Sequence, residues 1–434
     1  MEGDISVTPF IPTEPDALSP ETQDGLSLST QRSDSPLRKR ARRRSSNSST
    51  MDASQLLTVS PQPDVPQRDP KYYMADGSCV LRVANTLFNV HRSILSADSS
   101  SFGTLFTLPQ GDITVEGTSD DNPIVLQGDT PEEFRNFLWS LYALPHEIMA
   151  VRGPRVDLNR LTEIAKVASK YSFKATETWA LDAIQEHVER KPSPLLSSIP
   201  IGFPFSPNSP PSALLESKRQ ISCLIRLAQM CAHTKLLDTM IALLRQLMSV
   251  SLHFSYLAMS LADELDLRDL RGLAYLEVLQ RSVFICGHDE HGNVLMEGDV
   301  HETADGLDRL VVSPAQQLRL LSGYHRLSRA WERLRAVPIP FEHAPSCGTT
   351  WHQHGCTQSW SEFWKEKTRA DGVLSLGAAN VIGRLQVILK EFDKWGSATY
   401  MHHDCKSMAR RAIQDTIKRT NEALPDYFHE GGEY

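Results

Sequence analysis

Ile124-Val-Leu126-Gln-Gly128-Asp129-Thr130-Pro131-Glu-Glu133-Phe134-Arg-Asn-Phe137-Leu138-Trp-Ser-Leu141-Tyr142 changes character partway along. Ile124 to Leu126 is a short β-prone run. Thr130, Pro131 and Glu133 then read as an N-cap, a proline at the first helical position and a capping-box acid. From there Phe134, Phe137, Leu138, Leu141 and Tyr142 recur at helical spacing on one stripe, and Pro145 is expected to end the helix.

The flanks extend the same mixture. Upstream, Cys79–Val83 and Thr86–Val90 are two β-prone runs separated by Ala84-Asn85, which predicts a hairpin. His91 to Phe106 shifts to helical spacing through Ile94, Leu95, Phe102, Leu105 and Phe106. Downstream, Leu158 to Tyr171 carries Leu161, Ile164, Ala165 and Ala168 in step. A further helix is expected from about Ala175 to Val188. Hairpin, helix pair, strand and three helices predict an α+β domain with its helices segregated against a small sheet.

At residues 76–142 the pattern resembles a BTB/POZ domain. Asp76-Gly77, Leu81-x-Val83, Phe88-x-Val90-His91, Leu95, Ser99, Phe102 and Leu105-Phe106 are similar to the opening of that family. The quoted stretch from Ile124 to Tyr142 looks like its next strand and helix, and Leu161 to Lys170-Tyr171 like the following helix. The insert from Leu108-Pro109 to Asn122-Pro123 resembles a variant found in the large fungal (basidiomycete-type) set. What the resemblance implies is association: homodimers or heterodimers, and in some members recruitment of cullin-type ubiquitin ligase scaffolds or of corepressors. It also places Asp76 and His91 close to a dimer interface, so Asp76, His91, Phe102 and Phe106 are the candidate interaction residues. Most apolar matches, Phe102 and Phe106 included, read first as core packers. The acidic insert, and a proline-rich segment where ligase adaptors continue with packed helices, depart from the adaptor pattern.

Residues 1–69 contain one aromatic, Phe10, and are dense in Ser, Thr, Pro and Asp, so a disordered tail is expected. Within it Arg38, Lys39, Arg40, Arg42, Arg43 and Arg44 make six cations in seven positions, a nuclear-import or phosphate-binding candidate, or simply a solvated charge run. The BTB/POZ-like domain is placed at 70–190. Residues 191–213, with seven prolines across 190–213, are read as a linker or exposed loop, and 214–434 as a mainly α-helical C-terminal region. Helices are expected at 221–237, 239–248, 256–265, 270–284, from Ser313 on, 360–368, 379–395 and 407–424, with 285–312 irregular and no repeat of fixed period. On the helix after Ser313, Leu321, Tyr324, Leu327, Trp331 and Leu334 are assigned to the packed face.

A net charge of −8 argues against a dedicated nucleic-acid binder. Seven thinly spread cysteines fit a reducing compartment rather than a disulfide framework. With an acidic start and no long apolar run, neither a signal peptide nor a membrane span is expected, leaving nucleus or cytoplasm.

Phosphate-loop, dinucleotide, nucleophile-elbow and zincin motifs are missing from the sequence, so no catalytic residues and no enzyme activity are expected. One constellation remains. His343, Cys347, His352, His354 and Cys356 fall close together, with His402-His403-x-Cys405 downstream. Cys347, Cys356 and Cys405 with one of His343, His352 or His354 would satisfy tetrahedral zinc, and His352 is taken as the fourth ligand. The spacing matches no standard finger, and the alternative is buried thiols with solvated histidines. Cys286-x-His288-x2-His291 is a weaker set. Trp360, Phe363 and Trp364 read as a partner hot spot or, preferentially, as a core anchor.

The functional expectation is a non-enzymatic interaction module that dimerises or recruits a protein partner. The alternatives are a nuclear transcriptional regulator imported by the basic tail, and a substrate adaptor for a cullin-type ligase.

Overall fold

The computed structural model describes residues 65–108, 115–151, 153, 156–198, 211–285, 287, 295–301, 308–348, 350–395 and 400–429. The hairpin forms as expected: β2 (Cys79–Val83) and β3 (Thr86–Val90) pair antiparallel from Val83↔Thr86 to Cys79↔Val90. Ala84 takes φ 49° to close so short a connection. The outer strands were less visible. β1 (Gln67–Tyr73) runs parallel to β3, and β4 (Ile124–Leu126) parallel to β2, giving the order β1-β3-β2-β4. Order therefore starts before the boundary drawn at residue 70.

β1 escapes a pattern reading because its register shifts between Arg68 and Tyr73. Asp69 sits in that irregularity with its side chain fully buried. It accepts hydrogen bonds from the Lys71 and Tyr72 amides at 3.0 and 2.8 Å and pairs with Arg135 at 2.5 Å. Three donors on one carboxylate offset its desolvation and replace the missing ladder bonds.

Helical spacing over 91–106 resolves into α1 (Arg92–Leu95) and α2 (Ser101–Thr107), broken by a 3-10 turn with Asp98 and Ser99 at positive φ. The break lets the Asp98 carboxylate accept the Ala175 amide at 2.6 Å, in the first turn of a later helix. α3 (Pro131–Tyr142) has the expected capping box, with Thr130 and Glu133 each accepting the other's backbone N–H. Pro145 opens α4 (Pro145–Ala150) as well as following the end of α3.

Helices α5 (Leu158–Lys170) and α6 (Lys174–Glu189) form a packed hairpin. α7 (Pro194–Ser198) lies within the segment read as linker, and α8 (Pro211–Met230) begins before that segment was expected to end. α9 (Thr234–Val250), α10 (Leu252–Glu264) and α11 (Arg268–Arg281) follow. The single helix expected over 221–237 is thus split at 231–233. The same corner joins α5 to α6, α8 to α9 and α10 to α11. Ser172, Ala232 and Asp266 take φ of 63°, 52° and 52°. The next amide, from Phe173, His233 and Leu267, reaches back to the carbonyls of Ala168, Ala228 and Ala262 at 2.8, 2.9 and 3.0 Å. These are Schellman closures, repeated three times at unequal separations, which is why no fixed period shows in the sequence. α8 packs on α5 and α9 on α6.

A second sheet, in the order β5-β7-β6, forms from β5 (Ser282–Ile285), which ends the helix expected over 270–284 at Arg281, and from β6 (Val300–His301) and β7 (Asp308–Val311) in the stretch expected to be irregular. α12 (Pro314–Ala336) opens with the Ser313/Gln316 capping box. Its packed face is Gln316, Leu320, Gly323, Leu327 and Trp331, whereas Leu321 and Tyr324 are exposed, contrary to the sequence assignment. α13 (Thr350–Lys367) starts well before Trp360; α14 (Asp371–Leu374), α15 (Val381–Lys394), α16 (His403–Glu422) and α17 (Leu424–Tyr427) complete the described chain. α17 packs back on α11 and α12. It approaches closely because Gly272 and Gly323 present bare backbone to Pro425 and Phe428. Buried apolar residues from Tyr72 to Phe428 form one contiguous cluster, so the α+β domain and the helices share a core.

Candidate functional site

Two places gather the residues singled out in the sequence. The first is the junction of β3 with α1. Tyr142, at the end of α3, presents its hydroxyl to His91: the His91 amide donates to it at 3.1 Å, and His91 Nδ1 lies 3.0 Å away. His91 Nε2 faces Asp76 at 3.3 Å, and the Asp76 side chain is 83% exposed. Burial holds the Tyr142 phenol above its usual range, so it stays protonated and serves the junction as a neutral hydrogen-bonding group. Sequence reasoning found Asp76 and His91 but placed Tyr142 only in the core stripe; nothing in its spacing marks it as the group that links them.

Phe102 and Phe106 separate. Phe102 is 2% exposed and stacks on Tyr171 at 4.7 Å, so the interaction role assigned to it is corrected to core packing. Phe106 remains half-buried, with the Arg92 guanidinium 4.8 Å from its ring centre. Arg92 also reaches the Glu116 carbonyl at 3.4 Å, bringing the described end of the insert to the same place. Leu108 and Val115 are 55% and 42% exposed. The insert returns along the sheet: Val80 donates to the Gly117 carbonyl at 2.8 Å, and Asp120 takes Arg68 at 2.7 Å and the Tyr73 hydroxyl at 2.5 Å. Gly117 has φ +77°, and a Cβ there would meet Ile124 Cδ1 at 2.9 Å.

Two sequence motifs quoted separately also meet. Asp129 accepts from Lys170 Nζ at 2.7 Å and from the Tyr171 hydroxyl at 2.5 Å. The Gly128-Asp129 turn and the Lys170-Tyr171 helix end are thereby one structural device, with Tyr171 set among Phe102, Phe134 and Phe137.

Sheet order, helix succession and these motif contacts agree with a comparison of the sequence with known families, in which residues 74–187 match the BTB/POZ domain. That segment is a BTB/POZ domain, a protein–protein interaction module, and the mostly helical region follows it. No curated protein and no solved structure matches the chain.

The second place lies far along the chain. His343, Cys347, Cys356 and Cys405 converge so that one ligand atom of each lies within 4.8 Å of the others. His343 comes from the extended segment after α12, Cys347 from a 3-10 turn, Cys356 from α13 and Cys405 from the first turn of α16. Cys347 Sγ is 3.9 Å from Cys356 Sγ, and His343 Nδ1 is 3.5 Å from Cys405 Sγ. All three cysteines are buried and free. His352 and His354 are exposed and take no part, so the fourth position falls to His343, not His352. Residue type alone points to His352 as the fourth ligand; the chain instead closes the group from the loop. Burial, then the facing Cys405 and Cys356 thiols, pushes the Cys347 thiol up to about 12. That is the opposite of an activated nucleophile.

Trp360, Phe363 and Trp364 are buried, and the two indoles donate to the Ile339 and Leu334 carbonyls at 2.8 and 2.7 Å. They anchor α13 rather than greet a partner. Arg38, Lys39, Arg40, Arg42, Arg43 and Arg44, with Cys286, His288 and His291, lie outside the described residues.

Proposed function

We propose that the protein works, without catalysis, by association through its BTB/POZ domain, as a homodimer or with a related domain in a heterodimer. The observation that carries this reading is the family match at 74–187. The α2 and insert side supports it, because Leu105 and Phe106 stay half-buried and Leu108 and Val115 exposed there, and Arg92, next to His91, reaches both the Phe106 ring and the Glu116 carbonyl. Covering such apolar surface contributes ~25 cal/mol per Å² before the costs of association. The insert also supports kinship with the fungal set. Co-expressing two differently tagged full-length copies tests the homodimer: retention of one tag on the other's affinity resin through a salt wash supports it, and complete separation refutes the homodimer and leaves the heterodimer.

A second reading, a substrate adaptor for a cullin-type ligase, gains support from one observation. Packed helical hairpins do continue from the domain, α8 on α5 and α9 on α6, although proline-rich sequence intervenes. Nuclear action, with import through residues 38–44, rests on the basic run alone, and the chain is assigned to nucleus or cytoplasm. Among the described residues no helix is long and apolar enough to cross a membrane.

A further inference from the structure

The Cys/His group joins four separate elements, and two of its separations are those of a coordination sphere. A tetrahedral ion with Zn–S of ~2.3 Å and Zn–N of ~2.0–2.1 Å spaces its ligands about 3.8 Å apart between sulfurs and about 3.5 Å between sulfur and nitrogen. The observed Cys347–Cys356 and His343–Cys405 separations are 3.9 and 3.5 Å. Bonded disulfide sulfurs would stand ~2.05 Å apart.

The surroundings are arranged for ligation. His343 Nε2 lies 3.1 Å from Thr357 Oγ1, and that hydroxyl already donates its only proton to the Gln353 carbonyl at 3.0 Å. Thr357 can therefore only accept, which places the imidazole proton on Nε2 and leaves the Nδ1 lone pair facing the sulfurs. Two sulfurs receive backbone donors: the His402 amide reaches Cys356 Sγ at 3.2 Å and the Ala344 amide Cys405 Sγ at 3.4 Å. Backbone donors of this kind orient the sulfurs and hold them towards one another. Cys405 is fixed by its place in the first turn of α16. Beside the group, Ser346 donates to Asp404, tying the turn of Cys347 to the helix of Cys405.

We propose that His343 Nδ1 and the sulfurs of Cys347, Cys356 and Cys405 hold one structural zinc ion. Four protein ligands close the sphere and leave no position for substrate, so the role is to staple the 337–348 segment and the starts of α13 and α16 together. Loading releases the cysteine protons to solvent and changes no oxidation state.

Elemental mass spectrometry of full-length protein, purified without chelator, should find about one zinc per chain. Cys405→Ser and His343→Ala should lose it, and His352→Ala and His354→Ala should retain it. Thr357→Val should lower zinc affinity about tenfold by freeing the imidazole. Since a ligand variant can fail by misfolding, the unaltered chain supplies a second measurement. Refolded with Co²⁺ alone, it should show the visible absorption of tetrahedral, thiolate-bound cobalt, and chelator should lower its melting temperature. Metal-free protein with an unchanged, chelator-insensitive melt would overturn the assignment. So would a Cys347–Cys356 disulfide in peptide mapping, or metal retained by His343→Ala and lost by His352→Ala.

Discussion

Asp129→Ala isolates the device that holds the BTB/POZ domain's helix end to its strand turn. The Asp129 side chain is 1% exposed, and one of its oxygens takes both Lys170 Nζ and the Tyr171 hydroxyl, while Oδ1 has no protein partner. Truncation strands the Tyr171 hydroxyl inside an aromatic cluster, a cost of about 1–3 kcal/mol. Lys170 is 38% exposed and can turn to water, so its share is discounted. The expected loss is therefore about 2 kcal/mol. Asp129→Asn keeps an acceptor for Tyr171 and gives the unpartnered position an amide; it should cost less than half as much. Tyr171→Phe should cost about 1 kcal/mol, and the double variant should show coupling near 1 kcal/mol. Urea unfolding of the full chain, followed by circular dichroism, measures all four. An Asp129→Ala loss under ~0.5 kcal/mol, or an equal loss from Asn, would refute the reasoning.

Other perturbations probe other parts. Trp364→Ala removes a fully buried indole and its bond to the Leu334 carbonyl, and should cost about 3–5 kcal/mol by thermal or chemical melt. Gly323→Ala should destabilise by about 1–3 kcal/mol despite alanine's better helix propensity, because its Cβ would enter the ring of Phe428. Burial, then Arg190, lowers the pKa of His187, and burial, then Lys218, lowers that of His253. With folded values depressed, the unfolded chain takes up more protons. Their contribution is full above about pH 6.5 and is lost as pH falls from there through the folded values. Melting temperature should drop in that acid window, and His187→Gln should flatten the drop. A fusion of residues 30–50 to a fluorescent protein should concentrate in nuclei; a diffuse signal that mutating Arg38–Arg44 leaves unchanged removes the import reading.

Where one local rule governs, the fold was legible. Val83↔Thr86 pairing follows from two short β-prone runs, and the α3 start follows from Thr130, Pro131 and Glu133. What escaped depends on distant partners. β1 is held by the Asp69–Arg135 pair rather than by alternation, and the β5–β7 sheet is built from strands of two to four residues. Ala232 carries the chain through a left-handed corner that sequence favours only at Gly or Asn, so the α8–α9 break left no mark. At the Cys/His group the three cysteines were identified by type, but spacing could not choose among the histidines. His343 wins because the segment after α12 folds across α13 and α16, an arrangement visible only in space.

The most direct measurement on the central claim is the molar mass of the full-length chain by size exclusion with light scattering across a dilution series. Self-association through the BTB/POZ domain requires a mass of twice 48.6 kDa that persists to low micromolar concentration. Phe106→Glu should then shift dissociation to at least about tenfold higher concentration, a loss of ~1.4 kcal/mol or more, while the chain still unfolds cooperatively. A well-folded chain of single mass at every concentration, indifferent to Phe106→Glu, would contradict it.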